Sequence, residues 1–344
     1  MKAAVIHAPH DLRIEDADIS PVGPHDVKVR IRAGGICGSD LHYYQHGGFG
    51  AVRLRQPMIP GHEIAGEVLE TGAAVTRVRP GDGVAVNPSQ PCGHCRFCLA
   101  GQPNHCLDMR FLGSAMRMPH MQGGFREVLV CSEAQAVPVP PGLSLQTAAF
   151  AEPLAVCLHA ARQAGPLLGQ RVLVTGTGPI GALALLVARH GGAREIVATD
   201  IADAPLAVAR GLGASAALNT LADPAALDRY KADKGWFDTV FEASGSGVAL
   251  AGALEAVRPG GVVVQLGLAG ADVALPLNML VAKEISLRGT FRFHEEFEWA
   301  VGILAAGALD VSPLLTEVVP LADAVRAFEL AGDRSRAMKV QLAL

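Results

Sequence analysis

The chain reads as an α/β protein with two domains, one mostly β and one built on a doubly wound parallel sheet. Three observations predict this. The chain has 344 residues, enough for two domains at roughly 150 residues each. Short alternating apolar stretches broken by Gly and Pro fill about the first 150 residues. Strand and helix patterns then alternate from about 155 to 286, the rhythm of a parallel sheet covered by helices.

In the first segment, VKVRIRAGGI and HEIAGEVLETG alternate apolar and polar residues and read as strands. In the second, RVLVTG is a short apolar strand, PIGALALLVARHGG a helix, EIVATD a strand and APLAVARGLGA a helix. FDTVFEASG and GGVVVQLG are further strands. From about Ser286 the pattern changes again: ISLRGTFRF as β, EEFEWAVGILAAGAL as helix, and AMKVQLAL as a final strand. The boundaries predicted are 1–154 with 287–344 for a discontinuous, mostly β domain and 155–286 for the parallel-sheet domain. A cleft is expected where the two meet.

Composition excludes several function classes. Apolar residues make up 50% and charged residues 18%, so a core is affordable and disorder is not indicated. The net charge of -4 without a long run of one sign argues against a nucleic-acid partner. No apolar run approaches the roughly 18 residues of a membrane span, and MKAAVIHAPHDLRIE lacks the apolar length of a signal peptide. A cytoplasmic protein is expected. Seven cysteines in such a chain point to metal or catalytic roles rather than disulfides.

VLVTGTGPIG places Gly176, Gly178 and Gly181 as GxGxxG between a strand and a helix. The pattern alone is weak, since a Gly-rich turn can be purely structural; its context gives it meaning. Gly176 permits the tight turn, Gly178 lets the backbone approach a pyrophosphate, and Gly181 lets helix and strand pack closely. Pro179 and Ile180 open the helix, whose N-terminus attracts phosphates. Asp200 closes the next strand. A carboxylate there can bind the ribose hydroxyls of NAD and repel the extra phosphate of NADP, and Ile201 and Ala202 supply no cation for that phosphate. The segment is therefore expected to form a Rossmann domain that binds NAD.

Cys92, Cys95, Cys98 and Cys106 read C-x2-C-x2-C-x7-C. Four thiolates suit tetrahedral zinc and leave no open position, so this zinc is expected to be structural. The iron–sulfur alternative fits less well, because the bacterial ferredoxin run has three residues before its last Cys and Pro after it. His94 and His105 are expected to be bystanders.

Other candidate ligands are scattered: Cys37 in GGICGSDLHYY, His62 and Glu63 in PGHEIAG, and Glu152 in FAEPLAV. Singly, each reads as buried filler or as a surface charge. Together, C-G-S-D-x-H, G-H-E-x-x-G, the four-cysteine run and GxGxxG resemble the zinc-containing medium-chain alcohol dehydrogenases along essentially the whole chain. Glu152 in A-E-P-L-A-V makes the chain similar to the polyol branch. The resemblance implies a GroES-like catalytic domain beside the Rossmann domain, with Cys37 and His62 as ligands of a second, catalytic zinc. It implies that Glu63 and Glu152 complete the site directly or through water; the residues leave open which one binds. Cys157 is a further thiol nearby in sequence, expected to be buried and structural.

The resemblance also implies a mechanism: Lewis-acid activation of a secondary alcohol, hydride transfer to NAD, and a proton relay through Ser39 and His42. It implies Tyr43 and Arg292 as substrate contacts. SDLHYYQHGGFG, KGWFDTVFEASG, KEISLRGTFRF and AGDRSRAMKVQLAL are similar to the L-idonate 5-dehydrogenase group, which implies oxidation of L-idonate to 5-keto-D-gluconate. An aldonate asks for a cation, and Arg53, Arg55, Arg110 and Arg117 are further candidates. The rival readings are a dehydrogenase of a neutral polyol such as sorbitol or xylitol, or of L-threonine, and a non-catalytic nucleotide-binding redox sensor. By analogy, a homodimer or homotetramer is expected, joined near GGVVVQLG and LPLNMLV.

Overall fold

The structure, a computed structural model, describes residues 1–270 and 272–344. The chain divides into two units: residues 1–153 with 294–333 and 339–344, and residues 154–293 with 334–338.

A seven-stranded sheet dominates the first unit. Its path runs Ala136–Pro138, Gly83–Val86, Glu63–Thr71, Asp26–Gly35, Lys339–Ala343, Leu315–Pro320, and Val128–Ser132 also pairs with Asp26–Gly35. The strand Asp26–Gly35 shows why the sheet forms. Val27, Val29, Ile31 and Ala33 point inward and are buried, whereas Arg30 and Arg32 between them face solvent. Each large apolar side chain so buried contributes about 1.5–3 kcal/mol. Val68, Val84, Val86 and Leu129 meet them from neighbouring strands.

Register in this sheet sets up chemistry. Gly35 lies opposite Glu63 on one side and opposite Gln341 on the other. The end of the central strand is thus flanked by Glu63 and by the final strand, which begins at Lys339. The helix Gly38–His46 follows that end directly.

The second unit holds six parallel strands in the order Ala216–Asn219, Glu195–Asp200, Arg171–Thr175, Phe237–Glu242, Val257–Gln265, Ser286–Gly289. In chain order this is 3-2-1-4-5-6, the doubly wound arrangement whose strand order reverses between the first and fourth strands. The helix Pro179–His190 is buried from Gly181 to Ala188, which explains its nearly unbroken apolar sequence. Arg189 and His190 close its last turn, where positive charge suits the helix dipole. The strand Ser286–Gly289 pairs in parallel with Val257–Gln265. This unit therefore continues to Phe293, past the expected boundary at 286, because the strand completes a ladder that its own sequence does not announce. No helix among the described residues is long and apolar enough to cross a membrane.

Candidate active site and metal centres

In the second unit, the turn after Arg171–Thr175 has the geometry its glycines predict. Gly176 has φ of 79°, and a Cβ there would meet Ser244 at 2.7 Å. A Cβ on Gly181 would meet the Gly176 carbonyl oxygen at 1.8 Å, so only glycine lets helix and turn approach. Around Gly178 nothing lies within 4 Å of an added Cβ. Gly178 caps the helix, with Pro179 in its first turn. Asp200 ties the turn to the neighbouring strand. Its carboxylate accepts from Thr177 N at 2.7 Å, Thr177 Oγ1 at 3.2 Å, Ile201 N at 2.7 Å and Ala202 N at 3.1 Å. Cys157 is buried in this unit, and its thiol donates to the Ile180 carbonyl at 3.4 Å.

In the first unit, the sulfurs of Cys92, Cys95, Cys98 and Cys106 all lie within 4.8 Å of one another. Cys95 and Cys98 are 3.6 Å apart, and Cys95 and Cys106 are 4.0 Å apart. A tetrahedron with bonds of about 2.3 Å has edges of about 3.8 Å, so the set fits zinc. Backbone N–H groups of Cys92 and Asp108 donate to Cys106 Sγ at 3.1 and 3.3 Å, which favours thiolate. Donors from Cys98 and Leu107 likewise pull the Cys95 thiol down, while burial and the hydrogen bond to Cys95 push Cys98 up. His94 Nδ1 bonds the Cys92 carbonyl, and the His105 ring lies 6.2 Å from that of Phe97 at a tilt of 54°; neither joins the sulfur set.

The second donor set of this unit is Cys37, His62 and Glu63, also within 4.8 Å of one another. Cys37 sits at the N-cap of the helix Gly38–His46, in the turn leaving the central strand. His62 and Glu63 sit where the strand Glu63–Thr71 begins. Asp40, wholly buried, joins the two turns: it accepts from Cys37 N at 3.0 Å and from Gly61 N at 3.2 Å. Its Oδ1 also faces His62 Nδ1 at 3.6 Å. Among the described residues that nitrogen is buried without a hydrogen-bond partner.

Glu152 lies in the first turn of the helix Ala151–Ala164 and is buried. Burial pushes its carboxyl up to about 8; His62 opposes this, and Glu63 and Cys37 add to it. Burial and Glu63 likewise push the Cys37 thiol up to about 12. Two carboxylates and a thiol therefore crowd a site shielded from water, with one imidazole among them. Such a set accommodates anionic forms only with added positive charge. Part of that charge comes from Lys339, whose Nζ donates to Glu63 Oε1 at 2.8 Å, Glu63 Oε2 at 2.7 Å and the Ile36 carbonyl at 3.1 Å. The remainder fits a cation held by Cys37 and His62 with a glutamate.

Residues 23–141 match the alcohol dehydrogenase GroES-like domain family, and residues 179–306 match the zinc-binding dehydrogenase family. The chain is 46% identical to L-idonate 5-dehydrogenase (NAD(P)(+)) of Escherichia coli K12, over 91% of this chain and 90% of that protein. The chain belongs to the zinc-binding alcohol dehydrogenase family. A D-xylulose reductase A of Aspergillus niger is 36% identical over 94% of the chain and 92% of its own length. The crystal structure of L-idonate 5-dehydrogenase from Escherichia coli K-12 superposes with a TM-score of 0.94 at 42% identity, covering 100% of this chain and 98% of that one.

In this zinc-binding dehydrogenase, Ser39 and His42 lie three residues apart on the helix that Cys37 caps. Ser39 hydrogen-bonds the Cys37 side chain. His42 is exposed and its ring lies 5.8 Å from that of Phe49. Tyr43 is buried, and its hydroxyl accepts from Ala115 N at 3.1 Å. Arg292 belongs to the second unit. It has φ of 56°, with its guanidinium 4.9 Å from the Phe291 ring centre. Arg117 is engaged in the cysteine lobe, donating to Leu107 and Met109 carbonyls. Arg110 is exposed, while its strand neighbour Phe111 packs on His62; alternation turns Arg110 the other way. Sequence reasoning assigned no role to Asp40 or Lys339. Asp40 was visible as the acid of C-G-S-D; Lys339 carries no local signal.

Proposed function

We propose that this dehydrogenase oxidises the C5 hydroxyl of L-idonate to give 5-keto-D-gluconate, reversibly, with NAD and two zinc ions per chain. The observation that carries the chemistry is the close donor set of Cys37, His62 and Glu63, with Glu152 electrostatically linked to it and Ser39 bonded to Cys37. The substrate rests on the high identity to an L-idonate 5-dehydrogenase across both units.

Cys37 and His62 would hold the catalytic zinc. Glu63 is the better candidate for the carboxylate ligand, since its oxygen lies within 4.8 Å of the Cys37 and His62 ligand atoms while Lys339 fixes its orientation. A bound zinc supplies Lewis acidity that lowers the pKa of an alcohol. Ser39 Oγ accepts the hydrogen bond of the substrate hydroxyl. His42, exposed on the same helix face, holds the proton and releases it to solvent. The Gly176–Gly181 turn and Asp200 would hold NAD, which would supply the hydride acceptor. The charge of Asp200 disfavours the phosphate of NADP. Cys92, Cys95, Cys98 and Cys106 would hold the second zinc and leave it no open position for substrate.

Arg292 would hold the aldonate carboxylate. Its left-handed backbone is a conformation that costs a non-glycine residue free energy, and such positions cluster at ligand sites. Tyr43 would contact substrate as a packed wall near Cys37 and Ser39. No disulfide joins the seven cysteines among the described residues, which suits a cytoplasmic enzyme. Exposed Leu268, Leu277 and Val281 in the second unit support association of copies into a dimer or tetramer.

The test is NAD reduction by L-idonate, D-gluconate, sorbitol, xylitol and L-threonine at equal concentration. L-idonate should be fastest. No rate with L-idonate alongside a rate with a neutral polyol contradicts the substrate assignment; no rate with any of them favours a binding protein.

A further inference from the structure

Glu242 ends the strand Phe237–Glu242 and is wholly buried. The register sets it level with Thr175 on one side and Gln265 on the other. These three residues close the first, fourth and fifth strands of the parallel sheet. The first and fourth flank the point where strand order reverses, the place in such sheets where ligands bind.

Its carboxylate meets only donors. Oε1 accepts from Thr175 Oγ1 at 3.3 Å, Ser244 N at 2.9 Å and Ser244 Oγ. Oε2 accepts from Gly245 N at 3.1 Å and from Gln265 Nε2. Its main-chain carbonyl accepts from Leu266 N at 2.8 Å and Gly267 N at 2.9 Å. No cation pairs with it among the described residues. A shell of donors alone matches a carboxylate, which only accepts.

What those donors carry gives the network its meaning. Ser244 is the residue that a Cβ on Gly176 would strike at 2.7 Å, so the glycine turn rests on a residue suspended from Glu242. A Cβ on Gly267 would strike Gly245 N at 2.1 Å. Through its carboxylate and its main-chain carbonyl, Glu242 thus links three adjoining loops. A cavity of about 350 Å³ opens beside them, lined by Gly245, Gly247, Gln265, Gly267 and Leu268 among others.

We propose that Glu242 is a positioning residue for the dinucleotide, acting through Ser244, Gly245 and the Gly176 turn without touching the cofactor itself. This rests on the NAD reading above. Preset backbone groups spare the cofactor the cost of ordering them on binding.

Glu242→Gln keeps size and shape but sets an NH2 group against donors. The zinc-loaded full chain is titrated with NADH, followed by ligand fluorescence, and amide exchange is measured without cofactor. The expected result is a Kd for NADH raised tenfold or more. Faster exchange at Ser244 and Gly245, and an effect on KM for NAD rather than on kcat, should accompany it. Should that variant not fold, Gln265→Met removes one donor at a half-buried residue and should raise the Kd about threefold. A Kd within twofold of the parent, with or without faster exchange, overturns the proposal. A parent chain that does not bind NADH overturns the cofactor reading instead, and the proposal with it.

Discussion

Lys339 donates to both carboxylate oxygens of Glu63, at 2.8 and 2.7 Å, in a pair almost wholly withdrawn from solvent. Burial works against the charge on Lys339, yet Glu63 and Cys37 outweigh it and hold the ammonium above its usual value. The pair therefore holds an ionised Glu63 at the donor set, while Cys37 and Glu152, both pushed up by burial, would ionise with the added charge of a metal.

Lys339→Met would strand the Glu63 carboxylate among other acids. Breaking a buried pair on one side costs about 3–5 kcal/mol. Thermal melting of the chelated protein should show that loss, and added zinc should restore more stability to the variant than to the parent. Equal melting temperatures without metal would show that Glu63 does not depend on Lys339.

Asp40→Ala would leave the N–H groups of Cys37 and Gly61 without their acceptor and remove the acid facing His62. Residues that orient ligands typically contribute 10–100-fold in metal affinity. On the proposed two zinc ions per chain, zinc measured after dialysis should fall toward one. Retention of both would remove Asp40 from the centre.

Cys106→Ser should release the other zinc. Cys106 accepts two backbone N–H groups that a shorter hydroxyl meets poorly. The expected outcome is one zinc lost, lower thermal stability, and a KM for substrate within about twofold of the parent. A large change in that KM would tie the lobe to the substrate site.

Asp238 offers a pH test in the second unit. Burial alone would raise its carboxyl. Hydrogen bonds from Arg171 side chain and backbone, and from Arg258, outweigh that and hold it well below the usual carboxylate range. The folded value lies below the unfolded one, near 3.9. The contribution is therefore complete above that value and lost as pH falls through the acid range below it. Asp238→Asn should cost about 2 kcal/mol at pH 7, and the gap to the parent should narrow as pH drops below about 4. A constant gap would contradict the linkage.

Much of this was legible where the signal is local. GxGxxG between a strand and a helix, and four cysteines within fifteen residues, each occupy one short segment whose geometry follows from its own residues. Cys37, His62 and Glu152 acquire meaning only when distant segments meet, which is why family resemblance was needed to link them. Lys339 lies 276 residues from Glu63, and a lysine in a final strand looks like any other. Glu242 lies 67 residues from Thr175, and its role follows from register across three strands. The strand Ser286–Gly289 reads as β in sequence; its place in the parallel sheet depends on a partner its residues do not specify.

The most direct test of the central claim is kcat/KM for NAD reduction with L-idonate and with the neutral L-iditol, in the parent and in Arg292→Ala. The account predicts that the parent favours L-idonate at least tenfold and that the variant loses most of that preference, since a paired carboxylate is worth about 1.5–3 kcal/mol. Equal efficiency for the two substrates in the parent would contradict it.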